Sequence, residues 1–164
     1  MTIKKYSSDQ IYVSQFILNA TGFMDCAEHS LQKSKAALKT VSQGGAQSVS
    51  LGFIVPAVAN YAFAIELCLK AIICMEKGTK ARGHSLNKLY GKVSPSSRRC
   101  LLTVSKRDAS FIKKVINQND NAFSEARYFE MRNMRPQDLK LLAKSIHVVC
   151  NLLLKEKLNS GEYV

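Results

Sequence analysis

The feature that most constrains the fold is a long apolar segment, residues 53–75, that nevertheless contains a carboxylate and an ammonium group. It reads FIVPAVANYAFAIELCLKAIICM. The segment is long enough to span a bilayer. However, Pro56, Asn60, Glu66 and Lys70 fall inside it, and charged groups near the centre of a bilayer are costly. A helix that is apolar on nearly all sides is typical of the centre of a bundle. We therefore expect a buried helix that starts near Pro56.

Apolar residues at three-four spacing predict helices elsewhere in the chain. The first covers about 9–41, the stretch 42–52 has the composition of a loop, and the last helix runs from Pro136 to about Leu158. Short helices are expected between them, with the N-cap residues Ser85, Ser94 and Asp108. No repeat, β-alternation or second domain is visible, so we expect one domain over 1–164. The predicted fold class is all-α: an up-and-down helical bundle of four to five main helices, with short extra helices in the middle.

The chain is strongly basic, and the excess is local. It has 24 Lys and Arg against 12 Asp and Glu, a net charge of +12, and a pI near 9.6. Residues 77–114 hold eleven basic residues and one acid, or +10, whereas the rest of the chain holds thirteen basic residues and eleven acids, or +2. Such a patch favours an anionic partner, and a merely solvated face is the alternative. We expect RNA or single-stranded nucleic acid and no membrane. The candidate contact residues are Lys80, Arg82, Arg98, Arg99, Lys106, Arg107, Lys113 and Lys114.

The five cysteines favour a reduced, cytoplasmic protein. Their number is odd, no CxxC pair occurs, and each lies beside apolar residues, as is typical of core cysteines in the cytosol. The amino terminus MTIKKYSSDQ has no apolar signal core. Phosphate-binding glycine loops, GxSxG and HExxH are absent from the sequence, and potential metal ligands are not clustered. We therefore expect no cofactor and no metal.

Glu66 and Lys70 lie four residues apart, in the favourable order for a helical ion pair. Two interpretations are open: a surface pair on a solvent-exposed face of the helix, or a buried Glu66 that needs a cation. In the second case the best distant candidate is Arg127 in SEARYFEM, because the arginine fork suits a buried carboxylate. His84, at the entry of the next helix, either bonds a nearby backbone group or belongs to a reactive cleft with Glu66 and Arg127.

Several segments, in their order and spacing, give the chain a family resemblance. FAIELCLKAII, GHSLNKLY and NAFSEARYFEM precede a long closing helix, and this arrangement resembles prokaryotic HEPN-like domain proteins over roughly 53–158. The resemblance implies a bundle of four to five helices, commonly a homodimer, and a frequent link to RNA cleavage in toxin–antitoxin, phage-defence and CRISPR settings. The residues at the recurrent positions of this group are Glu66, His84, Asn121, Arg127 and Glu130.

The catalytic members of the resembled group carry an arginine followed, after four to six residues, by a histidine. This chain departs from that pattern, because no arginine lies five to seven positions before His29, His84 or His147. Two lysines stand at the far limit of the spacing, Lys77 before His84 and Lys140 before His147. Lysine keeps the charge but loses the planar fork, so the ribonuclease role does not carry over by motif.

Two classes of function follow. The first is an RNA-directed role in prokaryotic defence or toxin–antitoxin systems. Metal-independent RNA cleavage is left open in this class. Its candidate catalytic residues are His84, Arg127 and Glu66, for which a structural role is equally open. The second is a non-catalytic helical module that dimerises or docks to a protein partner from the same operon. The basic stretch 77–114 suits the first class, and the long apolar closing helix suits the second.

Overall fold

The computed structural model describes residues 8–40, 46–120 and 135–161, with backbone alone at 38–40 and 46–51. Helices dominate these ranges, and no strand occurs within them. In chain order the helices are α1 Ser8–Thr40, α2 Ala46–Lys77, α3 Leu86–Lys92, α4 Pro95–Ser105, α5 Ala109–Gln118 and α6 Pro136–Asn159. Within the described residues, three long helices and three short ones form an all-α bundle, as the sequence predicts.

Helix α2 is the centre of the bundle. It packs against α1, α3 and α6, and side chains from several of its faces are fully buried, among them Tyr61, Ile65, Leu69 and Ile73. By length and composition alone, Gly52–Lys77 could cross a membrane, but 56% of its most apolar window is buried inside the bundle. A core helix passes the same test, and the buried position explains why this helix is apolar nearly all round.

Helix α2 begins earlier than the sequence suggests. Ala46 opens it, so the described part of the predicted loop, 46–52, is helical, and Pro56 lies inside the helix instead of in its first turn. Proline removes the hydrogen bond to the carbonyl four residues earlier, which here belongs to Gly52. Both Pro56 and Gly52 are exposed, so this carbonyl lies on the side of the helix nearest water, where the lost bond costs least.

Helices α1 and α6 cover α2 with the apolar stripes that their sequences predict. The buried residues of these stripes are Val13, Ile17, Ala20, Met24, Ala27 and Leu31 on α1 and Leu139, Leu142, Ile146 and Val149 on α6. Two contacts join the helices directly: Thr21 to His147, and Glu28 to Lys140. Higher numbers on α1 meet lower numbers on α6, so the two helices run antiparallel.

All three predicted N-caps are confirmed by hydrogen bonds from the first turn of each short helix. Ser85 Oγ accepts from Lys88 N at 3.2 Å, and Ser94 Oγ accepts from Ser97 N at 3.2 Å. The Asp108 carboxylate accepts from Phe111 N at 2.7 Å. These bonds satisfy backbone donors that have no partner within the helix. Helix α3 packs on α2 and α5, and α4 packs on α6.

The cysteines are all free thiols, and most of them lie inside the bundle. Cys68, Cys74 and Cys150 are buried and Cys100 is partly buried, but Cys26 is exposed. The expectation that every cysteine is a core residue is therefore wrong for Cys26, which points away from α2 although its neighbour Ala27 points toward it.

Candidate nucleic-acid interface

Glu66 and Lys70 form a buried ion pair on the central helix. Lys70 Nζ lies 2.7 Å from Glu66 Oε1, and only 5% of Glu66 and 9% of Lys70 are exposed. One helical turn places the two side chains on the same face, which is turned toward the bundle interior. The surface-pair interpretation is therefore wrong and the burial of Glu66 is confirmed. Among the described residues, Lys70 supplies the cation.

His84 contacts the same carboxylate oxygen from outside the core. Its Nδ1 lies 3.0 Å from Glu66 Oε1, while 70% of the His84 side chain is exposed. Because an ionised carboxylate only accepts hydrogen bonds, Nδ1 carries the hydrogen in this contact. Glu66 thereby fixes both the orientation and the tautomer of an imidazole ring at the surface. Two of the three candidate catalytic residues are thus in direct contact.

Two glycines give the loop that carries His84 its path. Gly78 (φ 62°) follows α2, and its N–H donates to Cys74 O at 2.8 Å. Gly83 (φ 91°) comes immediately before His84. Residues with a Cβ rarely adopt such positive φ values, whereas glycine does so at little cost. The chain therefore turns away from the end of α2 and returns to Glu66, which lies about three helical turns before that end.

Asp120, which sequence reasoning missed, ties the end of α5 to the start of α3. Its Oδ1 accepts from Asn87 N at 2.7 Å and from Ser85 Oγ at 2.9 Å. A carboxylate near a helix N-terminus satisfies unpaired donors and favours the positive end of the helix dipole. Ser85 follows His84 directly, so this contact also anchors the backbone beside the imidazole. A carboxylate after an asparagine at a helix end is too common a pattern to predict this contact.

Arg127, Asn121 and Glu130 lie outside the described residues. The predicted pairing of Glu66 with Arg127 therefore stays a prediction. Within the described part of the chain, the Glu66 carboxylate already has two nitrogen partners, Lys70 and His84.

Glu76, near the end of α2, is a second carboxylate that holds another helix in place, a role that the sequence did not indicate. Its Oε1 accepts from Ser94 Oγ at 2.6 Å and from Ser97 Oγ at 2.5 Å, and its Oε2 accepts from Ser94 N at 2.9 Å. These bonds fasten the first turn of α4 to the central helix. The orientation of α4, and of the basic residues on it, therefore depends on α2.

Exposed basic side chains lie on the three short helices and in the turn between α4 and α5. We call this set the α3–α5 basic surface; it consists of Lys88, Lys92, Arg99, Lys106, Arg107, Lys113 and Lys114. Five of these residues were candidates from the sequence, whereas Lys88 and Lys92 were not. The only acid within residues 77–114 is Asp108, and its carboxylate accepts from Phe111 N at 2.7 Å and Ser110 Oγ at 2.8 Å. These hydrogen bonds lower the pKa of Asp108.

The remaining basic candidates lie beside this surface or within the fold. Arg98 is partly buried: its guanidinium donates to Gly91 O at 2.7 Å and lies 5.1 Å from the centre of the Tyr90 ring. It therefore helps to hold α4 against α3, and its role is at least in part structural. Lys80 and Arg82 are exposed in the loop before α3, where Lys80 Nζ lies 4.7 Å from the centre of the Tyr12 ring on α1.

The lysine–histidine spacing before His147 is explained by contacts with α1. Lys140 Nζ lies 2.7 Å from Glu28 Oε2, and His147 Nε2 lies 3.0 Å from Thr21 Oγ1. Burial lowers the pKa of His147, so this imidazole is neutral near pH 7. Both side chains thus join α6 to α1, whereas His84 directly precedes the N-cap residue of α3.

This region offers an exposed imidazole held by a buried carboxylate, followed in the chain by the exposed cations of α3 to α5. An imidazole whose Nδ1–H is fixed by a carboxylate is a common arrangement in acid–base catalysis. No group of three or more His, Cys, Asp or Glu that could hold a metal ion occurs in the described ranges.

Comparison with known families agrees with this architecture. The HEPN domain family matches residues 23–157, which include most of α1, all of α2 to α5 and nearly all of α6. No curated protein is significantly similar to the chain, and no solved structure is either. Because the family match covers well over half of the chain, the protein belongs to the HEPN domain family.

Proposed function

We propose that the protein binds RNA or another single-stranded nucleic acid through the α3–α5 basic surface. The observation that carries this proposal is the exposure of seven lysine and arginine side chains, five on three consecutive short helices and two in the turn between α4 and α5, within a stretch whose single acid caps a helix. Phosphates need cations that are free to approach them, and exposed side chains on rigid helices offer this arrangement. Membership of the HEPN domain family, many of whose members act on RNA, supports the same partner.

An aromatic side chain next to one of these cations adds a second kind of contact with a nucleic acid. The guanidinium of Arg107 lies 5.3 Å from the centre of the Phe111 ring at the junction of α4 and α5, where Phe111 is partly buried. The bases of single-stranded nucleic acids stack on aromatic rings and on arginine guanidinium planes that lie next to cations. An aromatic ring beside a cation favours a single strand over a duplex.

His84 is the residue of this region that we propose for any cleavage chemistry. Its ring is held at the surface by Glu66, at the end of the loop that carries Lys80 and Arg82. An oriented imidazole can move a proton at a ribose 2′-hydroxyl, and nearby cations stabilise phosphate charge. Arg127 would add the planar fork that lysine lacks. The proposed setting, prokaryotic defence or a toxin–antitoxin system, rests on the resemblance of the sequence to such HEPN-like proteins.

The binding proposal is tested with a fluorescently labelled single-stranded RNA and two charge-reversed variants of equal net charge. Lys113→Glu/Lys114→Glu alters the basic surface, and Lys33→Glu/Lys35→Glu alters exposed residues of α1. We expect the first variant to weaken binding at least about tenfold more than the second, since each lost phosphate contact removes counterion release. Equal losses would mean that net charge, not this surface, drives binding.

Cleavage is tested on the same RNA with His84→Ala beside the wild type. A product that wild type forms and His84→Ala does not form, with RNA binding unchanged, would establish His84 as catalytic. Unchanged RNA over long incubation, at protein concentrations that saturate binding, would restrict the function to binding.

A protein-docking module is the second candidate function. It is favoured by exposed large apolar side chains on α1 and α6, which are different helices from those of the basic surface. These side chains are Ile11, Leu18, Val148, Leu152 and Leu158.

A further inference from the structure

Two aromatic side chains of α1 form a pair next to the loop between α2 and α3. Tyr12 and Phe16 lie about one helical turn apart, and their ring centres are 4.1 Å apart with an angle of 45° between the ring planes. Both side chains are partly exposed. Lys80, in the loop, places its Nζ atom 4.7 Å from the centre of the Tyr12 ring. We call Tyr12, Phe16 and Lys80 the aromatic platform.

The packing of α1 against α2 determines where the aromatic platform lies along the central helix. The rings of Phe23 and Phe63 stack with their centres 5.2 Å apart. Tyr12 comes eleven residues before Phe23, and Cys74 comes eleven residues after Phe63. Burial and the nearby Cys74 thiol raise the pKa of Tyr12, so these two residues are neighbours as well. The two helices therefore run antiparallel, and the platform lies beside the last turn of α2.

The aromatic platform and His84 lie on the same side of α2. Glu66, Lys70 and Cys74 follow one another at intervals of four residues, so they are neighbours on the helix surface. His84 Nδ1 contacts the first of them at 3.0 Å, and Tyr12 lies beside the last. The stretch of helix from Glu66 to Cys74 rises about 12 Å. The imidazole and the Tyr12 ring are therefore close enough to be reached by one bound strand.

Cations lie between these two rings in the chain. The end of α2 and the loop after it supply Lys77, Lys80 and Arg82, which are all exposed, and the sequence has no acid between them. A backbone of phosphates that follows the loop therefore meets cations at each step. On the α1 side the charge is opposite, because Asp9 also lies near Cys74. The phosphates fit along the loop, and the ring of Tyr12 lies beside them.

We propose that the aromatic platform stacks one base of a single-stranded nucleic acid whose backbone follows the loop to His84, an inference that rests on the proposed nucleic-acid binding. An ammonium group is held only weakly over an exposed ring. A base can therefore replace Lys80 on the Tyr12 ring while the lysine turns to a phosphate. Every base has a flat π-face, so such stacking is tolerant of sequence. The stacked base would fix which nucleotide reaches the imidazole.

The test compares two fluorescently labelled strands by anisotropy: a single-stranded RNA and an abasic strand of the same length and number of phosphates. The wild type should bind the RNA more tightly. Tyr12→Leu should weaken binding to the RNA by about 5- to 150-fold, the range that stacking of one base accounts for, and should leave binding to the abasic strand unchanged. Tyr12→Phe keeps the ring and should retain the preference for the RNA. The matched control is Phe23→Leu, a partly buried ring of the same helix that stacks on Phe63, and it should bind both strands like the wild type.

The selective loss on the strand with bases is the decisive result. Equal losses of Tyr12→Leu on both strands would overturn the inference, because the ring would then serve only the fold. A wild type that binds the two strands equally, or a Tyr12→Leu variant that binds the RNA as tightly as the wild type, would overturn it too. If Tyr12→Leu melts below the wild type in circular dichroism, Phe16→Leu is the second variant and should show the same selective loss.

The outcome for the proposed function is measured separately. Lys113→Glu/Lys114→Glu should weaken binding to both strands, because it removes phosphate contacts and no ring. If it does so while Tyr12→Leu has no effect, binding on α3–α5 stands and the aromatic platform alone fails. A wild type that binds neither strand would contradict both proposals.

Discussion

Removal of the Glu66 carboxylate is the perturbation whose consequence the structure specifies best. Glu66→Ala leaves the ammonium group of Lys70 inside the bundle, where only 9% of the residue is exposed, and takes away the partner of His84 Nδ1. Breaking a buried ion pair by deletion of one partner costs about 3–5 kcal/mol, because the remaining charge has lost both water and its counter-charge.

The size of the change can be expressed as a melting temperature. For a domain of about this length, each kcal/mol shifts the melting temperature by roughly 2–4 °C, so Glu66→Ala should lower it by roughly 6–20 °C. The assay is thermal and urea unfolding followed by far-UV circular dichroism. The wild type and the single variant are compared with Glu66→Leu/Lys70→Met, which removes both charges and keeps similar volume.

The double variant separates two explanations for a loss of stability. Replacing a whole buried pair with apolar side chains is often neutral or stabilising, so Glu66→Leu/Lys70→Met should recover most of the loss caused by Glu66→Ala. A Glu66→Ala variant that loses less than about 1 kcal/mol, the value typical of an exposed pair, would refute the reasoning. Equal losses in the single and double variants would show that packing around Glu66, not the stranded charge, determines stability.

Two further predictions concern other carboxylates. Asp120→Ala should lower the free energy of unfolding by about 1–2 kcal/mol, because Ser85 Oγ and Asn87 N lose their acceptor; urea unfolding measures this, and an unchanged midpoint would contradict it. Burial raises the pKa of Glu28, but hydrogen bonds from two lysines outweigh it and lower the pKa from 4.5 to about 2. This group therefore stabilises the fold above about pH 4.5 and loses that contribution as the pH falls toward 2, so Glu28→Gln should flatten the loss of stability in this acid window. An equally steep acid profile in both proteins would contradict the assignment.

The parts of the fold that depend on local sequence were predictable. Ser85, Ser94 and Asp108 cap their helices as expected, because an N-cap bond involves residues only two or three positions apart. The apolar stripes of α1 and α6 were likewise visible in their spacing. Helix α2 was predicted too short because glycines near its start suggest a loop by composition, and local propensity is only a weak guide to where a helix begins.

The site was predictable only where its residues are close in sequence or chemically unusual. Glu66 stood out as a carboxylate in an apolar helix, and its burial was one of the two interpretations that this setting left open. Its contact with His84 joins residues eighteen positions apart and depends on the path of a glycine-containing loop. Glu76 and Asp120 escaped notice, because each meets its partners across 18 or more positions, and no local pattern distinguishes them from solvated acids.

The central claim, that RNA binds on α3–α5, is tested most directly by mapping the contact itself. Ultraviolet crosslinking of a single-stranded RNA to the wild-type protein, followed by mass spectrometry of the crosslinked peptides, locates the bound strand without any substitution. We expect crosslinks concentrated in peptides from residues 77–120, which carry the exposed lysines and arginines of the α3–α5 basic surface. Crosslinks confined to α1 or α6, or none at protein concentrations that saturate RNA binding, would contradict this assignment.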